Sequence, residues 1–108
     1  MYVRQEESME KSSKRDEIEE ILTDAYGEYE QMSAWECTFT DSVQTPCRAS
    51  LLGKAVEVTE FRTGPSETLQ CQVQAGSRQR WIAVEDLDEE GLPEDLQHYR
   101  ALYISWLE

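Results

Sequence analysis

Between positions 85 and 95 the sequence reads EDLDEEGLPED, seven carboxylates interrupted by Leu87 and by Gly91-Leu92-Pro93. Asp86, Asp88 and Glu90 alternate, Gly91 follows, Leu92 offers its backbone carbonyl and Glu94 stands two residues further on. These positions match the first, third, fifth, sixth, seventh and ninth places of loops that wrap a calcium ion. The spacing has a physical reason: Ca²⁺ takes six to eight oxygens, alternate side chains of a tight loop converge on one point, and a glycine lets the backbone reverse. Carboxylates are hard donors, suited to Ca²⁺ or Mg²⁺ and unsuited to copper or zinc. The run departs from the helix–loop–helix pattern in three ways. Its twelfth position is Gln97 instead of a bidentate Glu, its eighth is Pro93, and the segment entering it has the texture of a strand. Two readings of the loop therefore stand: a divalent-cation site, or a solvated acidic linker that caps the last helix. The linker reading is slightly favoured, although cation binding would relieve the self-repulsion of clustered acids and so be promoted even at imperfect geometry.

Other carboxylates are more ordinary. Asp16, Glu17, Glu19, Glu20, Asp24, Glu28 and Glu30 fit the solvated face of a helix. Glu57 and Glu60 fit the exterior of a strand, and Asp41 sits just before the first strand, where a short loop could bring it against another acid. Catalytic chemistry has little support, because the chain has no glycine-rich phosphate loop, no G-x-S-x-G and no H-E-x-x-H. Paired carboxylates for hydrolysis would need a concave pocket with raised pKa values. His98 is the one histidine, and Cys37, Cys47 and Cys71 form no CxxC pair, too few ligands for a four-coordinate structural zinc site. An odd number of thiols fits a reducing compartment, with the cysteines as small core fillers.

The chain has 108 residues, 23 acidic against 10 basic, and a net charge of −13. That length accommodates one core. The charge is segregated: residues 1–36 hold 11 acids and 4 bases, 37–84 hold 4 and 5, and 85–108 hold 8 and 1. A near-neutral middle is thus flanked by two segments of −7 each. Binding to nucleic-acid phosphate or to an anionic membrane needs clustered Lys and Arg, so neither is expected as a partner. Cations and basic proteins are. No apolar run reaches the length of a membrane span and the first residues lack a signal-peptide core, which leads to the expectation of a cytoplasmic protein.

The elements that would position these residues follow from periodicity. Residues 1–12 are expected to form a flexible segment and 13–108 a single domain. Ser13 and Asp16 have the spacing of a capping box, and Ile18, Ile21, Leu22, Ala25, Tyr26, Tyr29 and Met32 then recur every three or four residues. Gly27 interrupts the stripe, so one kinked helix or, slightly favoured, two helices should lie between about residues 14 and 42. Short strands should follow over Cys47 to Leu52, over Val56 to Arg62, through the alternation Leu69, Cys71, Val73, and over Trp81–Val84, which is apolar throughout and reads as buried on both sides. Gly91-Leu92-Pro93-Glu94-Asp95 starts a last helix whose apolar face is Leu96, Tyr99, Leu102, Tyr103 and Trp106. Trp35, Trp81 and Trp106 fall on the apolar phases and read as core anchors.

Taken together, Glu17-Ile18-Glu19-Glu20-Ile21, Asp24-Ala25-Tyr26-Gly27-Glu28-Tyr29-Glu30-Gln31, Ala34-Trp35, Pro46-Cys47-Arg48-Ala49 and Trp81-Ile82-Ala83-Val84 with Leu87 resemble the CcbP family, small acidic calcium-binding proteins of cyanobacteria with relatives in other bacteria. The resemblance covers about residues 17–106. It implies N-terminal helices on a small β-barrel and reversible, non-catalytic Ca²⁺ binding by surface carboxylates that buffers or signals intracellular calcium. It also points to Asp41 as a ligand. The family pattern carries an aromatic residue after the proline, where this chain has Cys47.

The reading that results is an α+β protein: an N-terminal helix or helix pair on an SH3-like β-barrel of four or five strands, with a C-terminal helix. It would bind Ca²⁺, with Mg²⁺ as competitor, through Asp41, Asp86, Asp88, Glu90, Leu92 and Glu94; the oligomeric state stays open, with a monomer favoured. The alternative is an acidic interaction module that docks a basic protein, mimicking nucleic-acid charge.

Overall fold

The computed structural model describes residues 14–108. The capping role of Ser13 and the segment 1–12 lie outside the described residues. Helix α1 covers 14–21 and ends where the Thr23 hydroxyl turns back to donate to the Glu19 and Glu20 carbonyls, at 2.9 and 3.0 Å. Such side-chain bonding to the preceding turn competes with helix propagation. The chain re-enters a helix at α2, Glu28–Ser42, with Gly27 as N-cap. The Glu30 carboxylate reaches back to accept the Tyr26 N–H at 3.0 Å, which ties the residue before the N-cap to the first turn of α2. The interruption at Gly27 therefore makes two helices.

Strands β1 (Cys47–Leu51), β2 (Lys54–Gly64), β3 (Thr68–Ala75) and β4 (Arg78–Ala83) form one antiparallel sheet in the order β1-β2-β3-β4. Two hairpins have two-residue turns. Leu52 and Gly53 both take positive φ, 51° and 78°, as a primed turn between right-twisted strands requires, and Gly76 opens the second at φ 62°. The sheet is open, which corrects the expectation of a closed SH3-like barrel. Where a fifth strand would join β1, the chain makes one backbone bond, Asp88 N–H to the Ser50 carbonyl at 2.9 Å, and then turns away. Trp81–Val84 also differs from expectation. β4 is an edge strand, and Trp81, Ile82 and Ala83 are half-buried. The guanidinium of Arg62 covers the Trp81 ring at 4.1 Å.

A 3-10 turn, Val84–Asp86, leads to helix α3, Glu94–Leu107. The inner face of the sheet presents Ala49, Val56, Val58, Phe61, Leu69, Cys71 and Val73, and α2 and α3 lay Met32, Trp35, Phe39, Leu96, Leu102 and Tyr103 against it. Aromatic edges meet faces throughout this layer. Trp35 meets Tyr103 at 5.4 Å and 73°, and Phe39 meets Phe61 at 5.2 Å and 60°, the tilted geometry that ring quadrupoles favour. No helix among the described residues is long and apolar enough to cross a membrane.

Two helix side chains complete the hydrogen bonding of strand ends. β4 runs out opposite Gln70, and the next amide, Leu69 N–H, donates to the Tyr103 hydroxyl at 3.3 Å. β1 pairs with β2 only as far as Val58, and further along β2 the Thr63 N–H donates to the Glu36 carboxylate of α2. The cysteines divide by position. Cys71 is buried, its thiol pushed up to about 12 chiefly by burial, whereas Cys47 is half-buried and Cys37 is exposed on α2. Core filling thus describes Cys71 and not Cys37.

Replacing Tyr103 with Phe keeps the ring packing and removes the acceptor for a buried amide. Tyr103→Phe should lower stability by about 1–3 kcal/mol in urea unfolding, while Tyr99→Phe should lie within about 0.5 kcal/mol of the parent.

Candidate functional site

The acidic loop between β4 and α3 is held from both sides. From α3, Arg100 donates its Nε–H to the Val84 carbonyl at 3.1 Å and an Nη2–H to the carbonyls of Glu85 and Leu87 at 3.0 and 2.8 Å. From within the loop, Val84 and Leu87 are buried in the core at 0 % and 2 % exposure, and of the two acids between them Asp86 is exposed while Glu85 is half-buried, one of its carboxylate oxygens enclosed without a hydrogen-bond partner. Gly91, at φ 80°, provides the reversal expected of it. Leu92 is buried by its side chain.

Asp88 is already engaged. Its two carboxylate oxygens accept the Leu52 N–H at 3.1 Å and the Gly53 N–H at 2.8 Å. It therefore fastens the β1–β2 turn, in which Leu52 holds a left-handed conformation unusual for a residue without a short polar side chain. A carboxylate oxygen carries two acceptor sites, so this role leaves capacity on Asp88 for a further partner. Asp86, Glu90, Glu94 and Asp41 are exposed. The one ion pair among the described residues, His98 with Glu17 at 2.7 Å, involves none of them.

Asp41 stands in the last turn of α2, away from the loop in sequence. The fold brings the two elements together through Asp95, whose carboxylate accepts the Gln44 N–H at 3.0 Å and the N–H of its neighbour Leu96 at 2.7 Å. Asp41 and Glu94 therefore belong to helix ends that meet at one junction. Cys47 lies at the same junction, and its thiol pKa is raised by burial first and then by the charges of Asp95 and Glu57. Among the described residues, no three carboxylate, thiol or imidazole groups stand together as a metal cage. The six residues singled out from sequence are placed on one loop and one adjoining helix end, without a preformed coordination sphere.

Sequence reasoning missed Asp95, Arg100 and a second carboxyl pair. Glu67, the last residue of the 3-10 turn Pro65–Glu67, has its pKa raised by hydrogen bonding with the Glu28 carboxyl first, then by desolvation and by that group's charge. Glu67 has φ 53°. Arg100 carried a signal, being the only base after residue 84. The Glu28–Glu67 pair carried none, since 39 positions separate its members.

Two measurements follow from these assignments. Asp88→Ala in calcium-free buffer should destabilise the chain by about 1–3 kcal/mol in urea unfolding, because two turn amides lose a charged acceptor; a residue serving only as a ligand would show no such loss. For Glu67 the raised native pKa means that folding favours its protonated form. Stability from this group is therefore present in acid and declines as pH rises through the native value. Glu67→Gln should raise the melting temperature at pH 7 and leave it nearly unchanged at a pH below the ordinary Glu value of about 4.3.

No protein-family model and no curated protein matches the chain. Solved structures do. The crystal structure of Anabaena CcbP superposes with a TM-score of 0.76 at 20% identity, covering 89% of this chain and 89% of that one. A calcium-binding protein in its calcium-binding form gives a TM-score of 0.72 at 18% identity, covering 88% and 89%. With identities this low the likeness is one of fold: the chain shares the α+β architecture of these calcium-binding proteins across nearly its whole length.

Proposed function

We propose that this protein is a CcbP-type, non-catalytic Ca²⁺-binding protein that buffers or senses intracellular calcium. The observation that carries the proposal is the shared fold with a protein solved in its calcium-binding form, over 88% of the present chain. Donor chemistry agrees with it. The exposed carboxylates of Asp41, Asp86, Glu90 and Glu94 are hard oxygen donors that can turn toward an ion without disturbing the core. Asp88, through its unused acceptor sites, and the Leu92 carbonyl would complete the set. Because no cage is preformed, binding entails reorientation of side chains, which places the affinity toward the weak end of calcium modules. Ca²⁺ would lower the repulsion within a segment that carries eight acids and one base from residue 85 onward.

A second reading, an acidic surface that docks a basic protein, is supported by the exposure of Asp86, Glu89, Glu90 and Glu94. The two separate in one experiment. Backbone amide shifts are followed during titration of the apo protein with Ca²⁺, with Mg²⁺ as control. The calcium reading expects saturable shifts at residues 84–95 and around Asp41, half complete below about 1 mM and weakened by Asp86→Asn with Glu90→Gln. Small uniform shifts without saturation overturn it. Chelator-insensitive capture of a basic protein, lost on the same substitutions, would establish the second reading instead.

A further inference from the structure

In a chain of net charge −13, Lys54, Arg78 and Arg80 gather around one apolar notch. The notch is the end of the sheet's inner face that the helices leave uncovered. Val56 and Val73 form its floor with Leu51 and Ala75, and it encloses about 240 Å³. Cross-strand register places the cations there: Val73 pairs with Arg80, Ala75 with Arg78 and Leu51 with Lys54, so all project from the apolar face. Leu52, 87% exposed, stands at the rim. Long basic side chains can simply shield an apolar strand end with their stems. Here, however, none of the three cations has a carboxylate within ion-pair distance among the described residues. The space suits one aromatic side chain better than a drug-sized ligand, whose pockets run from about 300 to 1,000 Å³.

A complementary surface lies on the same molecule. Tyr26 and Tyr29, 85% and 75% exposed, project at the α1–α2 corner among the exposed acids Asp24, Glu28 and Glu30. That corner cannot reach its own notch. Glu28 is close enough to raise the pKa of Glu67, just beyond the Gly64 end of β2, whereas the notch is built around the Lys54 end. The two ends of this 11-residue strand are roughly 30 Å apart. We infer that the notch receives the Tyr26–Tyr29 corner of a second copy of this chain, an aromatic ring entering the apolar floor while Asp24, Glu28 and Glu30 meet Lys54, Arg78 and Arg80. The contact joins two different patches, so it is head-to-tail and extends into chains of copies unless the rotation closes a ring. Its area is small and net repulsion opposes it, so it forms at high concentration and at salt sufficient to screen charges beyond about 8 Å.

The test is sedimentation velocity on the full chain over a concentration series, with chelator and about 150 mM salt, so that its outcome is independent of calcium binding. The parent protein should associate below about 1 mM. Arg78→Glu with Arg80→Glu should weaken association about tenfold or more, as should Asp24→Lys with Glu28→Lys. Mixing the two double variants should restore association, since the reversed notch of one meets the reversed corner of the other and the unaltered pair also remains. That rescue excludes misfolding as the cause of loss. A parent protein monomeric throughout, association that survives both reversals, or a mixture that stays monomeric would each overturn the proposal.

Discussion

The guanidinium of Arg100 holds three carbonyls of the segment that leads from the sheet to the last helix. Much of the structure hangs on that grip. It fixes Val84 and Leu87 in the core and delivers Asp88 to the β1–β2 turn, where the carboxylate fastens Gly53 and the left-handed Leu52. It also docks α3, so that Tyr103 can complete the hydrogen bonding of β3 and pack against Trp35. A charged donor satisfying several buried carbonyls at once is a strong local constraint, because each carbonyl left unpaired would carry a desolvation penalty. The acidic loop is therefore a braced backbone from which Asp86, Glu89, Glu90 and Glu94 are exposed.

Bracing separates two roles that the sequence merges. Within one acidic run, Asp88 and Asp95 are anchors whose oxygens accept backbone amides. Asp86, Glu90 and Glu94 are exposed and carry unneutralised charge. Such an arrangement suits weak, reversible binding of a hard cation, since the scaffold is already paid for and only exposed side chains must move. The basic residues show the converse. Three of them, Lys54, Arg78 and Arg80, collect around one apolar notch whose rim residue Leu52 donates its N–H to Asp88, so a small basic cluster adjoins the acidic loop.

Legibility varied by the kind of signal. The break at Gly27, the start of α3 after Pro93 and the alternation of Leu69, Cys71 and Val73 were all readable, because capping, helix-starting and period-two burial are local. Closure of the sheet was not. Four strands in forty residues suit a barrel or an open meander equally, and one backbone bond from Asp88 to Ser50 replaces the fifth strand. The apolar run Trp81–Ala83 misled for a related reason: an edge strand covered by Arg62 reads the same as a central one.

By itself, the sequence determined the charge, its division into two acidic segments around a neutral core, the element types and the hard-oxygen character of any ligand set, since these depend on composition and on neighbours within a few residues. Tertiary structure decided which acids hold the fold and which face water. It also decided that the end of α2 and the start of α3 are joined by the Gln44–Asp95 bond, that the Glu28 carboxyl raises the pKa of Glu67, and that three cations ring one apolar notch. Those outcomes depend on contacts between residues tens of positions apart, where burial and register select the partner and no local pattern records it.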